Sequence, residues 1–308
     1  MTNKNKKIFL AGHNGHLGSA IYRKLKSNGY KNIITIEKKK LNLLDQKKVF
    51  SFLNKKKPSS VIIAAARVGG IYANNTNRAN FIYENLTIQN NLIHGSYKSG
   101  VKNLIFFGSS CIYPKNISKP IKEEMLLSGK LEYTNEPYAI AKIAGIKLCE
   151  NYNKQYKTNY KCLMPCNSYG PNDNYDSKNS HFFAALIKKI YLAKKYKNKY
   201  IEIWGTGKPR REIIFVNDIA DACIYFMNKK TSKTLINIGT GKDMTIESYA
   251  KYLIKFFNTK LTIKKNLQMP DGIKRKLLNI NLAKSEGWKA KTKLDEGLKI
   301  TIKDFIKS

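Results

Sequence analysis

In the stretch NEPYAIAKIAGIKLCE, Tyr138 and Lys142 stand four residues apart, which puts a phenol and an ammonium on one face of a helix. A tyrosine that works as an acid near neutrality needs its pKa lowered from about 10, and an adjacent ammonium does this by favouring the phenolate. Upstream, FFGSSCIYP sets Ser109 and Cys111 just beyond an apolar, strand-like run. The serine, twenty-nine residues before Tyr138, can polarise a carbonyl. The cysteine is either small apolar filling or a thiol that ionises beside positive charge.

Such groups need a scaffold that delivers them to one place. KKIFLAGHNGHLGSAIYRKLKSNGY reads as a strand, a turn through Gly12, Gly15 and Gly18, and a helix ending near Gly29. Glycines at this spacing permit a tight turn and the close approach of a pyrophosphate, whose charge the helix N-terminus receives. The pattern therefore predicts a dinucleotide site, and Lys142 could then bond the nicotinamide ribose. A second strand, NIITIE, is predicted to end at Glu37, nineteen residues past Gly18, where an acid commonly holds ribose hydroxyls and favours NAD. Lys38, Lys39 and Lys40 follow at once and suit a 2′-phosphate instead.

SSVIIAAARVGG is a third buried strand running into a small-residue loop, and FIYENLTIQNNLIHGSYKSG is a helix on which His94 reads as structural. VKNLIFFGSS is a fourth strand that carries Ser109 and Cys111 past its carboxyl end, the edge at which open parallel sheets bind ligands. Later, YIEIWGTGKPRREIIFVNDIADACIYFM offers Trp204 for stacking, Arg211 for bidentate bonding to a diphosphate, and Asp218 at the start of a returning helix. No internal repeat or low-complexity linker interrupts the chain.

Composition narrows the class. The 308 residues can bury a large core, and 42% hydrophobic content fits a globular protein. No apolar run is long enough to span a bilayer, and the short basic N-terminus lacks the pattern of a secretory signal, so a cytoplasmic protein is expected, with no membrane partner. Five cysteines without CxxC spacing are expected to be reduced thiols, and four scattered histidines form no metal set with them. The net charge of +36 admits a nucleic-acid-binding protein on a retired enzyme fold. Yet only six of the 57 basic residues are arginine and the lysines are spread along the chain, so no specific nucleic-acid partner is expected.

With Ser109, Tyr138 and Lys142 behind GHNGHLG, the chain resembles the extended short-chain dehydrogenase/reductase family. AAARVGGIYANN, FIYENL, GSSCIYP, NSH, WGTGKPRRE, INIGTG and PDGIKRKLL are similar to its branch that epimerises and reduces GDP-4-keto-6-deoxy-D-mannose. The resemblance implies an α/β fold: a Rossmann-like doubly wound parallel sheet with a smaller C-terminal α/β substrate domain. The expected limits are 1–168 with 212–240 for the cofactor unit, and 169–211 with 241–308 for the nucleotide-sugar unit. It further implies NADP(H), with NAD(H) as the alternative, a homodimer, and a GDP-4-keto-6-deoxy-sugar substrate converted to GDP-L-fucose.

By position, the resemblance gives Cys111 and His181 the base and acid roles in inversion at C3 and C5, and Ser109, Tyr138 and Lys142 the reduction at C4. It places Gly12, Asn14, Gly15, Gly18, Glu37, Lys38, Ala65, Lys142 and His181 on the cofactor, and Asn167, Trp204, Arg211, Arg275 and Lys276 on the substrate. The chain departs from the branch at Asn14 and at Ile36–Glu37, where arginines commonly meet the NADP phosphate. Related enzymes on another GDP-4-keto sugar, such as a heptose, share these residues. A 4,6-dehydratase fits less well, because its Asp-Glu pair would fall where this chain has Ser-Cys.

Overall fold

The computed structural model describes residues 4–176, 180–269 and 271–307. The chain begins with β1 (Ile8–Ala11), α1 (His16–Ser27), β2 (Ile33–Ile34), α2 (Gln46–Lys56), β3 (Ser60–Ile63), α3 (Ile71–Thr76) and α4 (Arg78–Lys98). It continues with β4 (Asn103–Phe107), α5 (Glu136–Tyr156), β5 (Asn159–Pro165), β6 (Asn167–Tyr169), α6 (Phe182–Lys195), β7 (Tyr200–Trp204) and β8 (Arg210–Phe215). The remainder is α7 (Val216–Asn228), β9 (Leu235–Ile238), β10 (Asp243–Thr245), α8 (Ile246–Phe256), β11 (Thr262–Asn266), β12 (Arg275–Lys276), α9 (Asn281–Ser285) and α10 (Leu294–Lys307).

Six parallel strands form one sheet in the order β2-β1-β3-β4-β5-β9. Every residue of β1 and β3 is buried, as expected for a parallel sheet covered by helices on both faces. The chain leaves β1 for β2 on one side and returns to β3 on the other. Their carboxyl ends thus form the switch point where such sheets open a crevice.

A second, smaller assembly has β8 between β10 and β12, with β6 also paired to β8, while β7 pairs with β11. Its core gathers Tyr169, Phe183, Ile187, Phe215, Tyr249 and Leu298, separate from the core around the large sheet. Leu278, Ile280, Ala283 and Trp288, expected in the second unit, pack in the first core instead. The Trp288 indole explains part of this, donating to Asp221 Oδ2 on α7 at 3.1 Å.

The second strand is shorter than predicted: only Ile33 and Ile34 pair with β1. As an edge strand it has one neighbour, and the Glu37 carbonyl accepts the N–H groups of Lys40 and Leu41, each at 3.0 Å, turning the chain away from the ladder. The two cores are laced together at Asn172. Its side chain donates to the Asn14 carbonyl at 3.0 Å and to Ser19 Oγ at 3.3 Å, and its backbone N–H donates to Asp304 of α10 at 2.8 Å. Among the described residues, no helix is long and apolar enough to cross a membrane.

Candidate active site

The glycine loop occupies the switch point. Gly12 has φ of +89°, and a Cβ there would lie 2.6 Å from the Ala65 nitrogen, so the β1 and β3 ends meet backbone to backbone. Gly18 is equally constrained by the Gly12 carbonyl, whereas a Cβ on Gly15 would meet only that oxygen, at 3.6 Å. The folded chain needs Gly12 and Gly18 for its own packing; Gly15 leaves open the space a ligand would fill. Gly15 also caps α1 without a side-chain bond, so the helix's first N–H groups face outward as an anion cradle. Asn14, Glu37, Lys38, Lys39 and Lys40 are exposed around this end of the sheet.

At the end of β4, Ser109 Oγ accepts the Cys111 N–H at 3.4 Å, opening a turn of 3₁₀ helix over Ser110–Ile112. Cys111 is buried, and Ser109 and Tyr138 are partly buried. Lys142 is 3% exposed; its Nζ donates to the Phe107 carbonyl at 2.8 Å and lies 5.6 Å from the Tyr138 ring centroid. Burial pushes Lys142 down to about 8, while the Cys111 and Cys162 thiols pull it up. Tyr138 goes against expectation, because burial and then the Cys111 charge raise its pKa. The ammonium is spent on a backbone carbonyl at the end of β4, where it does not offset the desolvation of the phenol.

His181 occupies the N-cap of α6. The residue is exposed, yet nearby protein partly desolvates the ring and lowers its pKa; Asp173 raises it, and His16 and Lys276 lower it. Asp173 is itself pushed up to about 6, chiefly by burial. His16 at the start of α1 donates through Nδ1 to the Pro171 carbonyl at 3.0 Å, and burial lowers it to about 4. It is therefore neutral at neutral pH.

The remaining predicted residues lie on the small sheet. Asn167 Nδ2 donates to the Glu212 carbonyl at 3.0 Å, which joins β6 to β8. Arg211 Nη1 donates to the carbonyls of Arg210 at 2.8 Å and Ile273 at 2.5 Å, and burial lowers its pKa. Lys276 is likewise lowered, first by burial; Cys111 opposes this shift and Arg211 adds to it. Register sets Lys276 beside Arg211 and Arg275 beside Arg210, so by strand alternation the two pairs face opposite sides. Arg275 thus does not close with Lys276 on one ligand: its Nε binds Asp243 at 2.7 Å, and Arg210 binds the same carboxylate. Trp204 is 53% exposed, with Lys189 Nζ 5.8 Å from its ring.

The NAD dependent epimerase/dehydratase family matches residues 8–239. The chain belongs to this family. It is 44% identical to GDP-L-fucose synthase 1 of Arabidopsis thaliana over 100% of this chain and 95% of that protein. It is 46% identical to the GDP-L-fucose synthase of Sinorhizobium fredii over 98% of this chain and 96% of that one. Among solved structures, the GDP-mannoheptose C4 reductase of Campylobacter jejuni with NADP bound aligns with a TM-score of 0.90 at 37% identity, covering 99% of this chain and 100% of that chain. Membership makes a nicotinamide cofactor the group that suits the open Gly15 cradle.

Seen as a family member, the chain brings Ser109, Cys111, Tyr138, Lys142 and Lys276 together, with Arg211 beside Lys276. Electrostatic coupling links His181 to this group through Lys276. Several neighbours of the site escaped the sequence reading. Lys189, beside Trp204, is one lysine of many and carries no local signal. Asp173 had a weak signal, an acid in the turn after a strand eight residues before His181.

Proposed function

We propose that this protein converts GDP-4-keto-6-deoxy-D-mannose to GDP-L-fucose by epimerisation at C3 and C5 and NADPH-dependent reduction at C4. The observation that carries the reading is the convergence of a buried thiol, Cys111, with Tyr138, Lys142 and Lys276, in a chain 44% identical end to end to a GDP-L-fucose synthase. The 4-keto group acidifies the hydrogens on C3 and C5, so each inversion needs a base on one face and an acid on the other. Cys111 removes the proton, with Lys142 and Lys276 supplying the positive field a thiolate requires. His181 returns a proton from the opposite face, and Asp173 favours the imidazolium which that role demands.

Bound NADPH would supply the hydride for C4. Tyr138, kept protonated by burial, donates its proton to the C4 oxygen, and the Ser109 hydroxyl hydrogen, free because Oγ is only an acceptor toward Cys111, bonds the same oxygen. Arg211 and Lys276 face the diphosphate, Asn167 borders the sugar, and Trp204 stacks on the base. Gly12, Gly15, Gly18 and Ala65 line the cofactor path, and the exposed Lys38–Lys40 cluster beside Glu37 favours NADPH while tolerating NADH.

The same reading makes the protein a cytoplasmic homodimer, in keeping with five free cysteines and with Tyr83 of α4 and Ile140 of α5 left exposed. Its closest rival is reduction of a GDP-4-keto-heptose, a reading that draws on the Campylobacter neighbour being named a GDP-mannoheptose C4 reductase. Incubation with GDP-4-keto-6-deoxy-D-mannose and NADPH, with product stereochemistry read by NMR, tests it. GDP-L-fucose is the expected product; reduction without epimerisation, or turnover of the heptose alone, refutes the reading.

A further inference from the structure

Glu212 is the one fully buried carboxylate in the small sheet, 0% exposed, and the reaction scheme above does not use it. Oε1 accepts the N–H groups of Thr240 and Gly241, each at 2.6 Å, and the Thr240 hydroxyl at 3.3 Å. Oε2 accepts the Leu278 N–H at 2.8 Å, and the Glu212 backbone carbonyl accepts Asn167 Nδ2. Among the described residues no cation pairs with it. A buried carboxylate answered by three backbone N–H groups and one hydroxyl is held there by geometry, and each donor would be left unsatisfied without it.

Its place in the chain says what that geometry is for. Glu212 follows Arg211, and Leu278 lies two residues beyond Lys276. β12 is only two residues long and is joined to β8 by two ladder positions, Arg275 opposite Arg210 and Lys276 opposite Arg211. Two cations held side by side in a partly desolvated cleft repel one another, and Lys276 feels that repulsion from Arg211. So short a strand would drift from β8 under this load. Asp243 resists on one face by bridging Arg210 and Arg275, and Glu212 resists by gripping the backbone just past Lys276.

We propose that Glu212 is a positioning residue that fixes the Arg211–Lys276 cation pair for a nucleoside-diphosphate group. The same carboxylate draws in the turn after β9, so that β6, β8, β12 and residues 239–241 move as one body. This rests on the GDP-sugar reading above, and the experiment separates the two. Gly239 offers a second way to disturb the grip, since a Cβ there would press on the Glu212 carboxylate without removing its charge.

Glu212→Gln and Gly239→Ala are compared with the wild type for GDP affinity, NADPH affinity, KM for the keto-sugar and thermal unfolding. In Glu212→Gln the amide opposes N–H donors, and GDP affinity is expected to fall roughly tenfold, with KM rising in parallel. NADPH affinity is expected to change by less than about twofold, because the cofactor cradle shares none of these bonds. Gly239→Ala gives a smaller shift in the same direction. A purely structural role would lower both affinities together through the folded fraction, and that result, or wild-type GDP affinity in folded Glu212→Gln, overturns the proposal. If Glu212→Gln is unfolded, Gly239→Ala decides by the same two criteria. Wild-type protein that binds GDP but does not turn over the keto-sugar refutes the reaction alone; wild-type protein that binds no GDP refutes both.

Discussion

The two sides of the cleft are held by different forces. On the cofactor side, wholly buried strands meet at Gly12 and Ala65, and apolar packing sets the position of the glycine loop and of the β4 end that carries Ser109. On the substrate side, β10 and β12 span three and two residues, and two carboxylates, Asp243 and Glu212, help hold them and their flanking turns to β8. Apolar burial is nearly indifferent to pH and tolerant of small changes in direction. Charged clasps are neither. The residues proposed for reduction are therefore placed by the bulk of the core, and those proposed to meet the diphosphate by a few directional bonds.

The sharpest test of this contrast lies within the glycine loop. Gly18→Ala puts a Cβ 2.7 Å from the Gly12 carbonyl carbon and is expected to cost more than about 4 kcal/mol in urea unfolding. Gly15→Ala is expected to leave unfolding within about 1 kcal/mol of wild type while weakening NADPH binding. Equal stabilities would remove the distinction between a glycine required by packing and one required by the ligand.

Next in size are the chemical variants. Tyr138→Phe is expected to lower reduction by about 10²–10⁴-fold while sparing deuterium exchange from solvent at C3 and C5 of the keto-sugar. Cys111→Ser is expected to do the reverse, nearly abolishing exchange while slow reduction of the unepimerised ketone persists, because a serine hydroxyl is too weak an acid to supply the anion. Wild-type exchange in Cys111→Ser would return that thiol to a packing role.

The pH response of the cofactor side follows from Lys142, lowered by burial from 10.5 to about 8. Between those values the unfolded chain holds the proton that the folded chain has released, so this group makes stability rise with pH from about 8 to about 10.5. Reduction is expected to fall over the same window as the ammonium is lost. Unfolding free energy and hydride-transfer rate measured from pH 7 to 10 should move in opposite directions, stability rising as the rate falls; if neither changes across this window, Lys142 remains charged. The smallest effect is expected at Trp204, where Trp204→Ala leaves the melting temperature unchanged and weakens GDP binding by about 1–3 kcal/mol, the range for loss of base stacking. Titration calorimetry with GDP measures it.

The cofactor half was largely readable from the sequence because its signals are local. Gly12, Gly15 and Gly18 punctuate a strand and a helix, Ser109 closes an apolar run, and Tyr138 and Lys142 keep helical spacing. The strand order of the large sheet has no such local mark. The length of β2 depended on its edge position, and the direction of the Tyr138 shift on burial that spacing does not reveal. On the substrate side the determining contacts are remote: Glu212 bonds residues 240, 241 and 278, and Asp243 joins residues 210 and 275. No window of sequence contains both ends of these bonds. The motifs consequently identified Arg211 and Lys276 while missing what holds them together.

The lacing at Asn172 joins three parts of the chain that sequence keeps far apart. Through one residue, the outer edge of the glycine loop at Asn14 and Ser19 is connected to Asp304 near the chain's end. The last helix thus acts as a tether on the proposed cofactor cradle, and strain in that helix has a route to the first thirty residues. A tag or fusion that tugs on α10 would loosen the cofactor before it unfolds the protein, a difference that NADPH titration of C-terminally extended forms would register.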